Sequence, residues 1–315
     1  MMKKMDLNRI KPSQSPDERL SMRKSASGSG VLFSLSLSRW SFQVHPSSGI
    51  LNSLAFFILW VILWLPIAIP VARHLQWHPP QPLTPQQKLS LLMPLYLLVP
   101  LLLGAVVWIE ERPISDYGLS LDLPIFLSLM AGLALGIFTL SIAYGLQVIW
   151  GSLVWKTEGM TSSFLLVVGS ILALSLWIGG IEEVVFRGFL LTELQGDMGG
   201  VWAAILSSLI FALSHLIWDF KGGLIQLPGL ALMGLILVLA RWVDGGSLGL
   251  AWGLHAGWIW GLISLDTTQI LEPKSDRSWP EWVTGMNGQP LSGLVGVLIL
   301  GMTGLILGLI GSFGP

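Results

Sequence analysis

Apolar runs of about twenty residues recur along this chain, and a segment of that length with almost no charge is suited to the hydrocarbon core of a bilayer. They fall at about 50–72, 89–109, 123–150, 163–180 with an extension, 200–218, 224–242, 247–265 and 291–313. Lipid offers backbone N–H and C=O groups no partner, so each run must satisfy its own hydrogen bonds as a helix. The expected fold is therefore all-α, a polytopic transmembrane helix bundle of about eight spans. Composition agrees, since 53% of the 315 residues are hydrophobic and only 11% are charged.

Two parts are expected. Residues 1–48 are Ser-rich and carry Lys3, Lys4, Arg9, Lys11, Arg19, Arg23, Lys24 and Arg39 against Asp6, Asp17 and Glu18, the composition of a disordered basic tail. Residues 49–315 form the membrane domain. The tail is too long ahead of the first apolar run for a secretory signal, and its acids count against a transit peptide. By the positive-inside rule it stays in the cytoplasm, and an even number of spans returns the C-terminus there. A net charge of −1 leaves no footprint for nucleic acid, and the absence of cysteine excludes disulfides, thiolate nucleophiles and Cys-ligated metals.

Trp60, Trp64, Trp108, Trp150, Trp155, Trp177, Trp218 and Trp242 lie near span ends, where indoles favour the headgroup region. Gly132 and Gly136, and Gly301, Gly304 and Gly308, have the small-residue spacing of close helix packing. The polar stretch 266–290 with its prolines reads as an extramembrane loop.

Inside this apolar frame stand two carboxylates and a guanidinium, in Gly179-Gly180-Ile181-Glu182-Glu183-Val184-Val185-Phe186-Arg187. A charge in a membrane segment must be paired, neutralised or used. Residues four apart on a helix share a face, so Glu183 and Arg187 can pair, while Glu182 points about 100° away with no partner in its own segment. A carboxylate spared from the local pair and set near apolar surface is suited to act as a general base. The plain alternative is that both glutamates cap a span at the water interface.

Of five histidines, His45 belongs to the tail, and His74 and His78, just past the first span and before Pro79-Pro80, read as interfacial loop residues that would make at most an incomplete metal site. His215 and His255 lie within apolar runs and need a reason to be there. Either alone is ordinarily explained by a hydrogen bond to a backbone carbonyl or to a serine on the next helix. However, a helix hairpin about the turn 196–200 puts Glu182 and His215 at similar depth, each ~24 Å from the turn at 1.5 Å per residue. The seventh span can bring His255 toward the same place.

These motifs resemble the CPBP family (CAAX proteases and bacteriocin-processing enzymes, also called Abi), glutamate-dependent intramembrane proteases with the pattern Glu-Glu-x-x-x-Arg, Phe-x-x-x-His and His-x-x-x-Asn. Glu182-Glu183…Arg187 matches the first and Phe211…His215 the second, but Ile259 stands where the third has Asn. The resemblance covers about 162–265. It implies a hydrolase in which Glu182 activates water, His215 helps hold it, His255 stabilises the oxyanion, and Glu183, Arg187 and Phe211 support the fold. It also implies either no cofactor or a zinc ion on Glu182, His215 and His255.

The expected function is intramembrane endopeptidase, acting on a membrane-associated protein or peptide within the lipid bilayer. The expected location is a bacterial inner or internal membrane. The alternative is a non-catalytic membrane scaffold or assembly factor on the same fold, which Ile259 motivates.

Overall fold

The computed structural model describes residues 48–78, 81–156, 164–274 and 279–313, so the basic tail expected at 1–48 lies outside it except for Ser48. The helices are α1 (Gly49–His74), α2 (Pro85–Glu110), α3 (Leu123–Ile149), α4 (Phe164–Glu182), α5 (Leu191–Met198), α6 (Gly200–Ser214), α7 (Phe220–Val243), α8 (Gly249–Thr268), a single turn α9 (Glu281–Thr284), and α10 (Leu294–Phe313). A π-helical stretch, Glu183–Leu190, joins α4 to α5. Local chemistry fixes several ends. Thr84 and Gln87 form a reciprocal capping box at α2. Asp219 accepts from Gly222 N–H at α7, and Asp197 of α5 accepts from the first N–H groups of α1, at 3.0 Å from Gly49 and 2.8 Å from Ile50.

The protein is an all-α, multi-pass membrane bundle: among the described residues seven helices are long and apolar enough to cross a bilayer. Seven of the eight expected spans are among them. The eighth forms as α8, which packs against α3, α4 and α7. It is largely buried from Ala251 to Trp258. Protein rather than lipid surrounds that part, so it tolerates His255 and several tryptophans and glycines. The sequence 266–290 also holds structure: strand β2 (Leu271–Pro273) pairs antiparallel with β1 (Leu153–Trp155), and Lys156 meets Glu272 at 2.6 Å.

Close approach of α8 to its neighbours rests on glycine. A Cβ on Gly136 would come 2.6 Å from the Leu254 carbonyl oxygen, one on Gly249 would come 2.5 Å from that of Ile125, and one on Gly253 would run into that of Leu129. These backbones touch because no side chain separates them. Gly301 and Gly308 differ, since nothing stands within 4 Å of a Cβ there. That spacing carries no helix contact at those two positions, because their sides of α10 face outward. Trp60 also departs from the interfacial belt: it is buried, and its indole N–H donates to the Leu95 carbonyl at 2.8 Å, stitching α1 to α2.

Candidate active site

Gly179 and Gly180 bring α4 onto α8. A Cβ on Gly179 would lie 3.2 Å from Ala256 N, and one on Gly180 would lie 2.6 Å from the Trp252 ring. That indole donates to the Leu176 carbonyl at 2.7 Å, and Trp260, two turns further along α8, donates to Val168 at 2.9 Å. His255 lies between these two clamps. The docking of α4 on α8 therefore fixes where the imidazole meets the glutamates.

The meeting is closer than helical spacing foretold. His255 Nδ1 lies 2.8 Å from Glu183 Oε1, and His255 Nε2 lies 3.6 Å from Glu182 Oε2. The anticipated Glu183–Arg187 pair is present at 3.0 Å, so Glu183 Oε1 serves both Arg187 and His255. Adjacent carboxylates were expected to diverge, yet both face one imidazole. The chain changes from α to π winding at this junction, a change that often marks functional sites. Glu183, Arg187 and His255 are all but fully buried, whereas the Glu182 side chain keeps 13% exposure. Glu183 Oε2 is buried without a hydrogen-bond partner.

Phe211 sits at the hub. Its ring lies edge-on to His215 at 4.8 Å and to His255 at 5.8 Å, and the Arg187 guanidinium stands over it at 4.1 Å. His215 ends α6, with Nδ1 turned back to the Phe211 carbonyl at 2.9 Å, and it lies near enough to Glu182 and His255 to feel them electrostatically. Of the two histidines, His255 makes the closer approach to Glu182. Ile259, one turn beyond His255, is half-buried and presents only carbon.

Two residues escaped the sequence reading. Tyr96 of α2 is buried and donates its O–H to Glu182 Oε1; a lone tyrosine in an apolar run gave no spacing to read. Arg241 of α7 is buried and gave a clear signal, being a guanidinium inside a span. It donates to the carbonyls of Arg187 and Gly188, to Thr192 Oγ1 at 3.0 Å and to the Gly246 carbonyl at 2.9 Å. Arg241 thus ties α7 to the carbonyls of the π-helical stretch.

Among the described residues no three His, Cys, Asp or Glu side chains are grouped so as to hold a metal ion. This includes Glu182, His215 and His255, and also His74 and His78. His255 Nδ1 is bonded to Glu183 and His215 Nδ1 to a carbonyl, so each imidazole has only Nε2 left for a metal. The donor set as arranged does not fit a three-ligand zinc site, and no step below is routed through a metal.

Comparison with known proteins follows the same residues. Residues 164–261 match the family described as type II CAAX prenyl endopeptidase Rce1-like. No curated protein and no solved structure matches the chain. The matched stretch runs from α4 into α8 and holds Glu182, Glu183, Arg187, Phe211, His215, His255 and Ile259, whereas Tyr96 lies outside it. In the segment that builds the site, this multi-pass membrane protein is similar to the Rce1-like, CAAX-protease family that its glutamate and histidine motifs resemble.

Proposed function

We propose that the protein is an intramembrane endopeptidase that hydrolyses a membrane-associated protein or peptide with water activated by Glu182. The observation that carries this reading is the facing of Glu182 Oε2 and His255 Nε2 at 3.6 Å. A water oxygen ~2.8 Å from each atom bridges that gap with ordinary hydrogen-bond lengths.

The hydrogen-bond network assigns the histidine tautomers. A carboxylate only accepts, so His255 donates Nδ1–H to Glu183, and in that tautomer Nε2 faces the water as an acceptor. Glu183, itself held by Arg187, fixes that ring and its tautomer. His215 likewise donates from Nδ1 to the Phe211 carbonyl and leaves Nε2 as a second acceptor.

Glu182 takes a proton from the water as its oxygen attacks the scissile carbonyl carbon. The carbonyl pair moves onto oxygen. On collapse the C–N bond breaks, and Glu182 returns the proton to the leaving amine. No acyl-enzyme forms.

The test is the purified protein in liposomes with membrane-anchored peptides, products being identified by mass spectrometry. Cleavage by the wild type and its loss in Glu182→Gln support the reading; equal cleavage by both removes it. Ile259 favours a second reading, a membrane scaffold on the same fold. In that case Glu182→Gln complements a deletion strain fully, and crosslinking captures a stable partner.

A further inference from the structure

The network around Glu182 leaves a specific deficit. Hydrolysis develops negative charge on the carbonyl oxygen, and preorganised donors aimed at that charge are often the largest single contribution to catalysis. Both histidines spend their Nδ1–H groups elsewhere, on Glu183 and on the Phe211 carbonyl. One turn beyond His255 on α8, Ile259 offers no donor. Arg187 is fully buried and committed to Glu183 at 3.0 Å and to the Gly234 carbonyl at 3.4 Å. The hydrogen-bond donor that touches the general base is the Tyr96 hydroxyl, brought in by α2 from outside the family-matched segment.

We propose that Tyr96 is a further catalytic residue, holding Glu182 in place before attack and donating to the oxyanion afterwards. The proposal rests on the Glu182 hydrolysis set out above. Before attack Tyr96 O–H donates to Glu182 Oε1, which aligns the carboxylate and leaves Oε2 to face the water. When Glu182 takes the water's proton it becomes neutral and a weaker acceptor. The Tyr96 O–H then turns to the carbonyl oxygen that has gained the electron pair. Tyr96 keeps its own proton throughout; the transferred proton goes from water to Glu182 and from Glu182 to the amine. The position is held by packing, since Tyr96 is buried and the Trp60 indole grips the carbonyl of the preceding residue, Leu95, at 2.8 Å.

The experiment compares wild type, Tyr96→Phe, Glu182→Gln and the double variant Tyr96→Phe/Ile259→Asn in liposomes, on one membrane-anchored peptide, with folding checked by thermal melting. Tyr96→Phe is expected to lower kcat about 10²- to 10³-fold, the cost of one lost oxyanion donor, with KM little changed. The double variant, with a new donor on the His255 face of α8, is expected to recover at least part of kcat. Wild-type kcat in Tyr96→Phe with Glu182→Gln inactive overturns the role of Tyr96 while leaving Glu182 in place. A loss of kcat with no recovery in the double variant shows a structural tyrosine and also overturns it. Wild-type turnover in Glu182→Gln overturns the hydrolysis itself.

Discussion

His255 Nε2 stands 3.6 Å from Glu182 Oε2, a contact between α8 and the end of α4 that two glycines and two indoles hold in register. In the proposed reaction the gap between these atoms holds the attacking water. His255→Ala is expected to lower kcat about 10²-fold, the cost of misplacing a reacting group by about 1 Å, while substrate still binds. Steady-state kinetics in liposomes checks this, and an unchanged kcat would place the water elsewhere.

Glu183 plays a different part from its neighbour. It is fully buried beside Arg187 and His255, so Glu183→Gln leaves a buried guanidinium without its counter-charge. That change is expected to cost about 3–5 kcal/mol, whereas Glu182→Gln, at a partly exposed site, is expected to leave unfolding near the wild type. Denaturant unfolding of both variants in detergent distinguishes them, and equal stabilities would contradict the division of roles.

Arg241 holds the π-helical stretch by its carbonyls. Arg241→Met keeps much of the apolar stem and removes the donors, and the lost bonds to a charged group are expected to cost about 2–4 kcal/mol in total. Hydrogen exchange should show the amides of 183–190 opening faster in this variant. Wild-type protection there would mean the wide turn stands without the arginine.

The glycines give a paired comparison. Gly253→Ala drives a methyl group into the Leu129 carbonyl, whereas Gly308→Ala meets nothing within 4 Å. The first is expected to destabilise by about 1–3 kcal/mol, the usual cost of overpacking, and to lower activity by moving His255. The second should change neither. Melting curves and cleavage rates of the two variants test the contrast.

Much of this was legible in the sequence. The length of the apolar runs dictates helices, and the four-residue spacing of Glu183 and Arg187 foretells their ion pair. Two physical features were not legible. Helical spacing assumed α winding, so the π stretch that begins at Glu183 was not anticipated, nor was the meeting of both carboxylates with one imidazole. Tyr96 reaches Glu182 from a helix far away in sequence, a tertiary contact that no local period encodes. Arg241 could have been found, because a guanidinium within an apolar run always requires a partner. The burial of Trp60 shows the converse: a tryptophan near a span end does not reveal whether it faces lipid or the next helix.

The central claim is that the Glu182 carboxylate activates water, and the most direct measurement is the kcat of purified wild type and Glu182→Gln on the same membrane-anchored peptide. Gln preserves the shape of the side chain and its contact with Tyr96 but cannot take a proton. The account predicts a fall of at least ~10²-fold, the lower end for loss of a general base, with the melting temperature unchanged. Turnover of Glu182→Gln at the wild-type rate would contradict it.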